Sequence, residues 1–165
     1  MAAKLAELKL LAEQTVLCWL ASTDEEGFPN LSPKEIFVIT DEEILIANIA
    51  SAQSERNIYA NERVCLSFVE IYKQKGFKVK ARAKVLGPQD ANYSDKLALL
   101  RQKAPERFPI KSIFKLEMTR LEPIVAPSYW LFGATEVQQI EGAEKQYEAK
   151  LEQVKAEQGG MAYDH

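Results

Sequence analysis

Residues 77–85 read FKVKARAKV, with Phe77, Val79, Ala81, Ala83 and Val85 alternating with Lys78, Lys80, Arg82 and Lys84. Successive side chains of a β-strand point to opposite faces, so this stretch predicts a strand with an apolar inner face and a basic outer face. The small inner residues Ala81 and Ala83 favour a tightly curved sheet that closes into a small barrel. The basic face poses the functional question. It either holds an anion, such as a nucleic acid or a phosphorylated cofactor, or it is solvated surface.

The flanking sequence supplies the rest of an antiparallel sheet. TVLCWLAS (15–22), LSPKEIFVIT (31–40) and ILIAN (44–48) read as strands joined by short polar turns, the pattern of a meander. Pro33 cannot donate to a ladder and marks an edge, a bulge or a strand start. RVCLSFVE (63–70) and IKSIFKLEM (110–118) are further strands. Helices are expected over 3–14, over 51–62 with Ser51 as N-cap, from Asp90 as cap through DANYSDKLALLRQKA, and from 135 to about 157. LEPIVAPSYWLFG (121–133) reads as extended, with Pro123 and Pro127 in it. The fold class is therefore α+β, an antiparallel six-stranded barrel with flanking helices and a C-terminal helix. The expected organisation is a barrel domain with its N-terminal helix over 1–134, an amphipathic helix over 135–158 and a flexible tail over 159–165.

Composition narrows the function classes. The chain has 165 residues, a formal net charge of −3, 47% hydrophobic and 27% charged residues, as in an ordinary globular protein. No apolar run approaches the roughly 20 residues of a membrane span. MAAKLAELKLLAEQT is amphipathic and unlike a signal peptide, so a cytoplasmic protein is expected. The acidic balance, with no zinc spacing, basic arm or aromatic binding motif, argues against nucleic acid. Cys18 and Cys65 sit inside apolar strand-like runs and read as buried reduced thiols. The single histidine is His165, so neither an imidazole metal site nor a Ser-His or Cys-His pair is expected.

Three stretches carry candidate chemistry: SPKEIF (32–37), NIASAQSERN (48–57) and PSYWLFGAT (127–135). In the second, a helix N-terminus with Ser51, Gln53 and Ser54 offers free N–H groups to a phosphate. Each stretch also has a purely structural reading, as an edge lysine, an N-cap and core aromatics.

Taken in order, these segments resemble the pyridoxamine 5'-phosphate oxidase-like family of FMN-binding split β-barrels, over roughly residues 10–133. The resemblance rests on ASTDEEGFPNLSPKEIFVI, SERNIYANERVCLSF, GFKVKARAKVL, IKSIFKLEMTRLEPI and YWLFG. It implies a homodimer with FMN in the subunit interface and a small-molecule substrate or electron donor. The cofactor contacts it implies fall on Ser32, Pro33, Lys34, Glu35, Ile36 and Phe37, on Ala47 and Asn48, on Gln53 and Ser54 for the phosphate, and on Trp130. Of the basic face, Lys80 or Arg82 is expected on the flavin-bearing side, and Lys78 and Lys84 in solvent.

Two departures stand out. The phosphate positions, a basic pair in the oxidase proper, are here the neutral Gln53 and Ser54, and GATEVQQIE (133–141) lacks the segment that holds pyridoxal phosphate. Vitamin B6 oxidation is therefore not expected. The reading is a flavin-dependent oxidoreductase of unknown substrate with no assigned catalytic residue and no metal. A non-catalytic flavin carrier or sensor, and a flavin-free structural or interaction member, stay open beside it.

Overall fold

A computed structural model describes residues 2–159, so the expected tail from residue 160 on, with His165, lies outside the described residues, and residue 159 ends a helix. The elements in order are α1 (Ala2–Gln14), β1 (Cys18–Thr23), β2 (Pro29–Lys34), β3 (Phe37–Ile39), β4 (Glu43–Asn48), α2 (Ala52–Ala60), β5 (Arg63–Glu70), β6 (Lys75–Leu86), α3 (Tyr93–Arg101), β7 (Ser112–Val125), α4 (Pro127–Leu131) and α5 (Glu136–Gly159). The chain forms two compact units, Met1–Val69 with Gly76–Ile124, and Glu70–Lys75 with Val125–His165.

The first unit is the split barrel. Its strands run β2-β1-β5-β6-β7-β4-β3 across one sheet, antiparallel wherever the register is defined. The expected second strand, 31–40, is in fact two strands, which raises the count to seven. β2 ends at Lys34 and β3 begins at Phe37, yet the two occupy opposite edges of the sheet. A flat seven-stranded sheet would hold its edges about 29 Å apart. Glu35 and Ile36 let Lys34 and Phe37 separate by at most about 11 Å. The sheet must therefore curl until its edges meet, and Ile36 O accepts a 3.0 Å hydrogen bond from Ala47 N at the junction.

The basic-apolar alternation of β6 is realised. Phe77, Val79, Ala81, Ala83 and Val85 are buried, and Lys78, Lys80, Arg82 and Lys84 are exposed. The inner residues join Leu20, Leu66, Phe68, Phe114 and Leu116 in the barrel core, closed by Leu8 of α1. A second core forms where Tyr93 and Leu100 of α3 meet Leu45, Ala47 and Ile113. β4 serves both, so every one of its residues is buried. Burial of each large side chain contributes about 1.5–3 kcal/mol.

Two local expectations change. Asp90 does not cap α3. Its carboxylate accepts from Gly87 N at 2.8 Å and closes the preceding turn. α3 starts after Asn92, which is in the left-handed region at φ 60°, a conformation Asn adopts more readily than most residues. β7 continues through Pro123 to Val125, but in the second unit residues 127–131 are one helical turn rather than extended chain. Pro127 fits the first helical position because its fixed φ suits a helix start. This unit is tied by Tyr129 Oη donating to Lys73 O (2.8 Å), by Lys75 paired with Glu136 (2.7 Å), and by an edge-to-face contact of Tyr72 with Tyr147.

Gly76 is required by close approach. A Cβ there would lie 2.0 Å from Phe68 O, a backbone atom that cannot swing away. Gly76→Ala is expected to cost about 2 kcal/mol or more in urea denaturation. Gly142→Ala on α5, where a Cβ meets nothing within 4 Å, should be neutral or stabilising by up to about 1 kcal/mol. Equal effects would show that the close approach at Gly76 does not matter.

Candidate functional site

β2 is inverted. Its more buried residues are Asn30, Ser32 and Lys34, while Pro29, Leu31 and Pro33 are exposed. Alternation places the three polar side chains on one face, together with Ser22, Leu20 and Cys18 of β1, their register partners. α2 covers this face: Asn57 Nδ2 donates to Ser22 Oγ at 3.0 Å. Asn30 Nδ2 is buried with no hydrogen-bond partner. Such a donor costs about 1–3 kcal/mol unless an acceptor reaches it.

Lys34 is the centre of this seam. The residue is 4% exposed. Its Nζ donates to Ser32 Oγ and Ser51 Oγ, each at 2.6 Å. Among the described residues no carboxylate comes within ion-pair distance of it. Burial pulls its pKa down to about 8, partly opposed by Cys18. The same burial pushes the Cys18 thiol up to about 12, so Cys18 is a neutral neighbour and not a counter-ion. A buried ammonium held by two hydroxyls, with an orphan donor on the same strand, is a receptor short of an anion.

The remaining predicted residues divide. Ser51 precedes α2 but makes no side-chain cap, because its hydroxyl receives Lys34. Asn48 fixes the start of α2: Oδ1 accepts from Ser51 N at 3.0 Å, and Nδ2 donates to Ser112 Oγ (2.8 Å) and Glu55 Oε2 (3.1 Å). Ser54 is buried in α2. Gln53 turns the other way. Its Nε2 donates to Asn57 Oδ1, its Oε1 accepts from Arg56, and it lines a cavity with Asp24, Glu25 and Glu26. Those acids disfavour a phosphate on that side. Glu35 is exposed at the bend between the edges, Ile36 packs on the second core, and Ala47 lies in β4 opposite Ile113. Phe37 is a core residue, 5.3 Å from Phe68 in an edge-to-face pair. Trp130 sits on α4 of the second unit and is 69% exposed.

Lys80 belongs to neither group. It lines a separate cavity of about 400 Å³ on the outer face of the sheet, with Ala21, Arg63, Cys65, Ala81 and Arg82. Of the basic row, Lys78 pairs with Glu122 (2.8 Å), Lys84 approaches Asp90 (3.9 Å) and Arg82 pairs with Glu62. Among the described residues Lys80 has no such partner. The outer face also exposes Trp19 and Leu31, whose register partners are Pro33 and Ala21. Cys18, Asn30, Arg63 and the Lys80 cavity were not singled out from sequence as site elements. The polar run Asn30-x-Ser32-x-Lys34 inside a strand was the signal available for Asn30.

With the fold and these two loci described, comparison with known proteins is informative. A family model described as pyridoxamine 5'-phosphate oxidase matches residues 5–124. The chain belongs to the pyridoxamine 5'-phosphate oxidase family. No curated protein matches it. Solved structures of similar fold include an FMN-binding protein from Syntrophomonas wolfei (14% identity, 76% of this chain and 88% of that one, TM-score 0.64). The heme storage protein HutZ from Vibrio cholerae is also similar (20% identity, 73% and 92%, TM-score 0.61). So is an F420 reductase (20% identity, 69% and 94%, TM-score 0.55). At these identities the likeness is one of fold. For this member of the pyridoxamine 5'-phosphate oxidase family, the ligand must be argued from its own residues.

Those residues fit a phosphate-bearing ligand at Lys34. The ammonium, the hydroxyls of Ser32 and Ser51 and the N-terminal end of α2 are all donors or partial positive charge.

The depressed pKa of Lys34 has a stability consequence. Below about pH 8 the native state carries a buried charge, and the unfolded lysine stays protonated to its usual 10.5. The unfolded state therefore binds more protons above pH 8, and native stability rises with pH there. From pH 7 to pH 9 the wild-type protein should gain about 1 kcal/mol relative to Lys34→Met in urea denaturation without ligand. Parallel curves for the two proteins would contradict a strained buried ammonium. Cys18, whose unfolded thiol begins to ionise near pH 9, is present in both proteins and cancels in the comparison.

Proposed function

We propose that this chain binds FMN and acts as a flavin-dependent oxidoreductase on a small molecule, as a homodimer. The observation that carries the reading is the buried Lys34 ammonium, held by Ser32 and Ser51 and lacking a carboxylate. Membership of the family and the likeness to an FMN-binding protein support it. Lys34, Ser32 and Ser51 would hold the phosphate, with Lys34 supplying the charge that Gln53 and Ser54 do not. Asn48 would hold the start of α2 in place. The bound flavin would supply the redox chemistry. The chain would supply binding, orientation and electrostatics.

The dimer rests on a different observation. Trp19 (41% exposed), Phe28 (68%) and Leu31 (62%) cluster on the β1–β2 hairpin, and the first and third share the outer face. An apolar outer face on an inverted edge strand is a surface a partner subunit would cover. No helix among the described residues is long and apolar enough to cross a membrane. The protein is read as cytoplasmic.

Purified chain should carry, or take up stoichiometrically, a yellow chromophore with flavin absorption. Lys34→Met should weaken FMN about tenfold to a hundredfold, the worth of one charge-assisted hydrogen bond. Affinity should fall as pH rises past about 8, where Lys34 loses its proton. A colourless protein that ignores FMN and loads haem or F420 instead would sink the assignment. Light scattering should give twice the chain mass, and Leu31→Glu should halve it.

A further inference from the structure

The row Lys78, Lys80, Arg82 and Lys84 has an unequal distribution of counter-ions. Lys78, Arg82 and Lys84 each have a carboxylate partner. Among the described residues Lys80 has none, although Glu122 is near enough to feel its charge. The backbone at Lys80 is fixed, since its carbonyl accepts from Thr119 Oγ1 at 2.9 Å. The cavity of about 400 Å³ it borders is lined by three cations, Arg63, Lys80 and Arg82, and by no carboxylate. Its other outer-face walls are Ala21, the Cys65 thiol, Thr23 and Thr119, with the strand backbone at Val64 and Ala81 behind them. Burial pushes Cys65 up from its ordinary value, ahead of the opposing pull of Lys78 and Lys80. Cys65 is therefore a neutral wall and not an anion that neutralises the cluster.

A concave apolar floor with convergent cations on one side is how small-molecule sites select a charged head and a compact body. We propose that this cavity binds an anionic small molecule, with one carboxylate or phosphate head on Lys80 and Arg63 and a small apolar body over Ala21 and Cys65. The volume lies within the range of pockets that enclose ligands of that size. The Lys34 seam is a different place, on the other face of the sheet and bordered by α2. The molecule thus has two anion receptors. Combined with the flavin reading, on which this part rests, the second one defines the substrate class: an acid or phosphate ester held by its charge outside the cofactor's own phosphate seat.

The test uses the full chain, with and without added FMN. Benzoate, phenyl phosphate and inorganic phosphate are titrated by calorimetry against wild type, Lys80→Gln, Lys84→Gln and Lys34→Met. Benzoate, and phenyl phosphate when FMN is present, should bind saturably at one site per chain, more tightly than inorganic phosphate. Lys80→Gln should weaken that binding about tenfold, as expected for loss of one charge-assisted contact. Lys84→Gln should not change it, and Lys34→Met should leave it intact while FMN loading drops. Absence of saturable binding would overturn the proposal. So would equal losses in Lys80→Gln and Lys84→Gln, which describe a diffuse basic surface. Loss of FMN loading in Lys80→Gln would assign the cavity to the flavin, and loss of the dimer would assign it to the subunit contact. Both outcomes refute a separate substrate site. If FMN fails to bind while benzoate still does, the flavin reading falls and the anion site stands.

Discussion

The bend at Glu35 and Ile36 is the constraint on which the barrel depends. Two residues bridge the opposite edges of a seven-stranded sheet, so the sheet cannot stay open. Closure brings β2 and β4 together at one rim. It also sets Lys34, the last residue of β2, beside Ser51, seventeen residues later. The inverted polarity of β2 follows from the same geometry. Its buried face meets α2 and not the main apolar core, so polar side chains can face inward there without displacing core residues.

The two loci show opposite ways of placing positive charge. On the outer face cations are exposed, screened and mostly paired, and such pairs contribute little to stability. In the seam between β2 and α2 one cation is buried with neutral partners, which is costly without an anion. Strain of this kind persists in a folded domain when the surrounding contacts outweigh it, and it is characteristic of binding sites. The seam carries its positive charge on a strand residue, Lys34, while the first turns of α2 offer the neutral Gln53 and Ser54.

Much of the barrel was legible because alternation is a strong signal. FKVKARAKV, RVCLSFVE and ILIAN are strands where the sequence places them, and Leu5, Leu8, Leu11 and Ala12 mark α1. The break after Lys34 was not legible, because its cause is long-range: β3 pairs with β4 while β2 pairs with β1, and Pro33 marked only that something interrupts the ladder. The turn at 127–131 was hidden because prolines there are compatible with both extended chain and a helix start. At the site, the stretches containing Lys34 and Ser51 were each recognisable as unusual. Their meeting is tertiary, as is the way Gln53 faces Asp24, Glu25 and Glu26. The cavity at Lys80 depends on four strands lying side by side, which no local pattern encodes.

β4 has no free face, since both cores grip it along its whole length. Asn48 at its end carries the first residues of α2, and through them the Ser51 hydroxyl, on a support that cannot shift without disturbing two cores together. An arriving anion would therefore meet donors already in position. Little ordering of the protein would accompany binding, and the entropy lost would be chiefly the ligand's own.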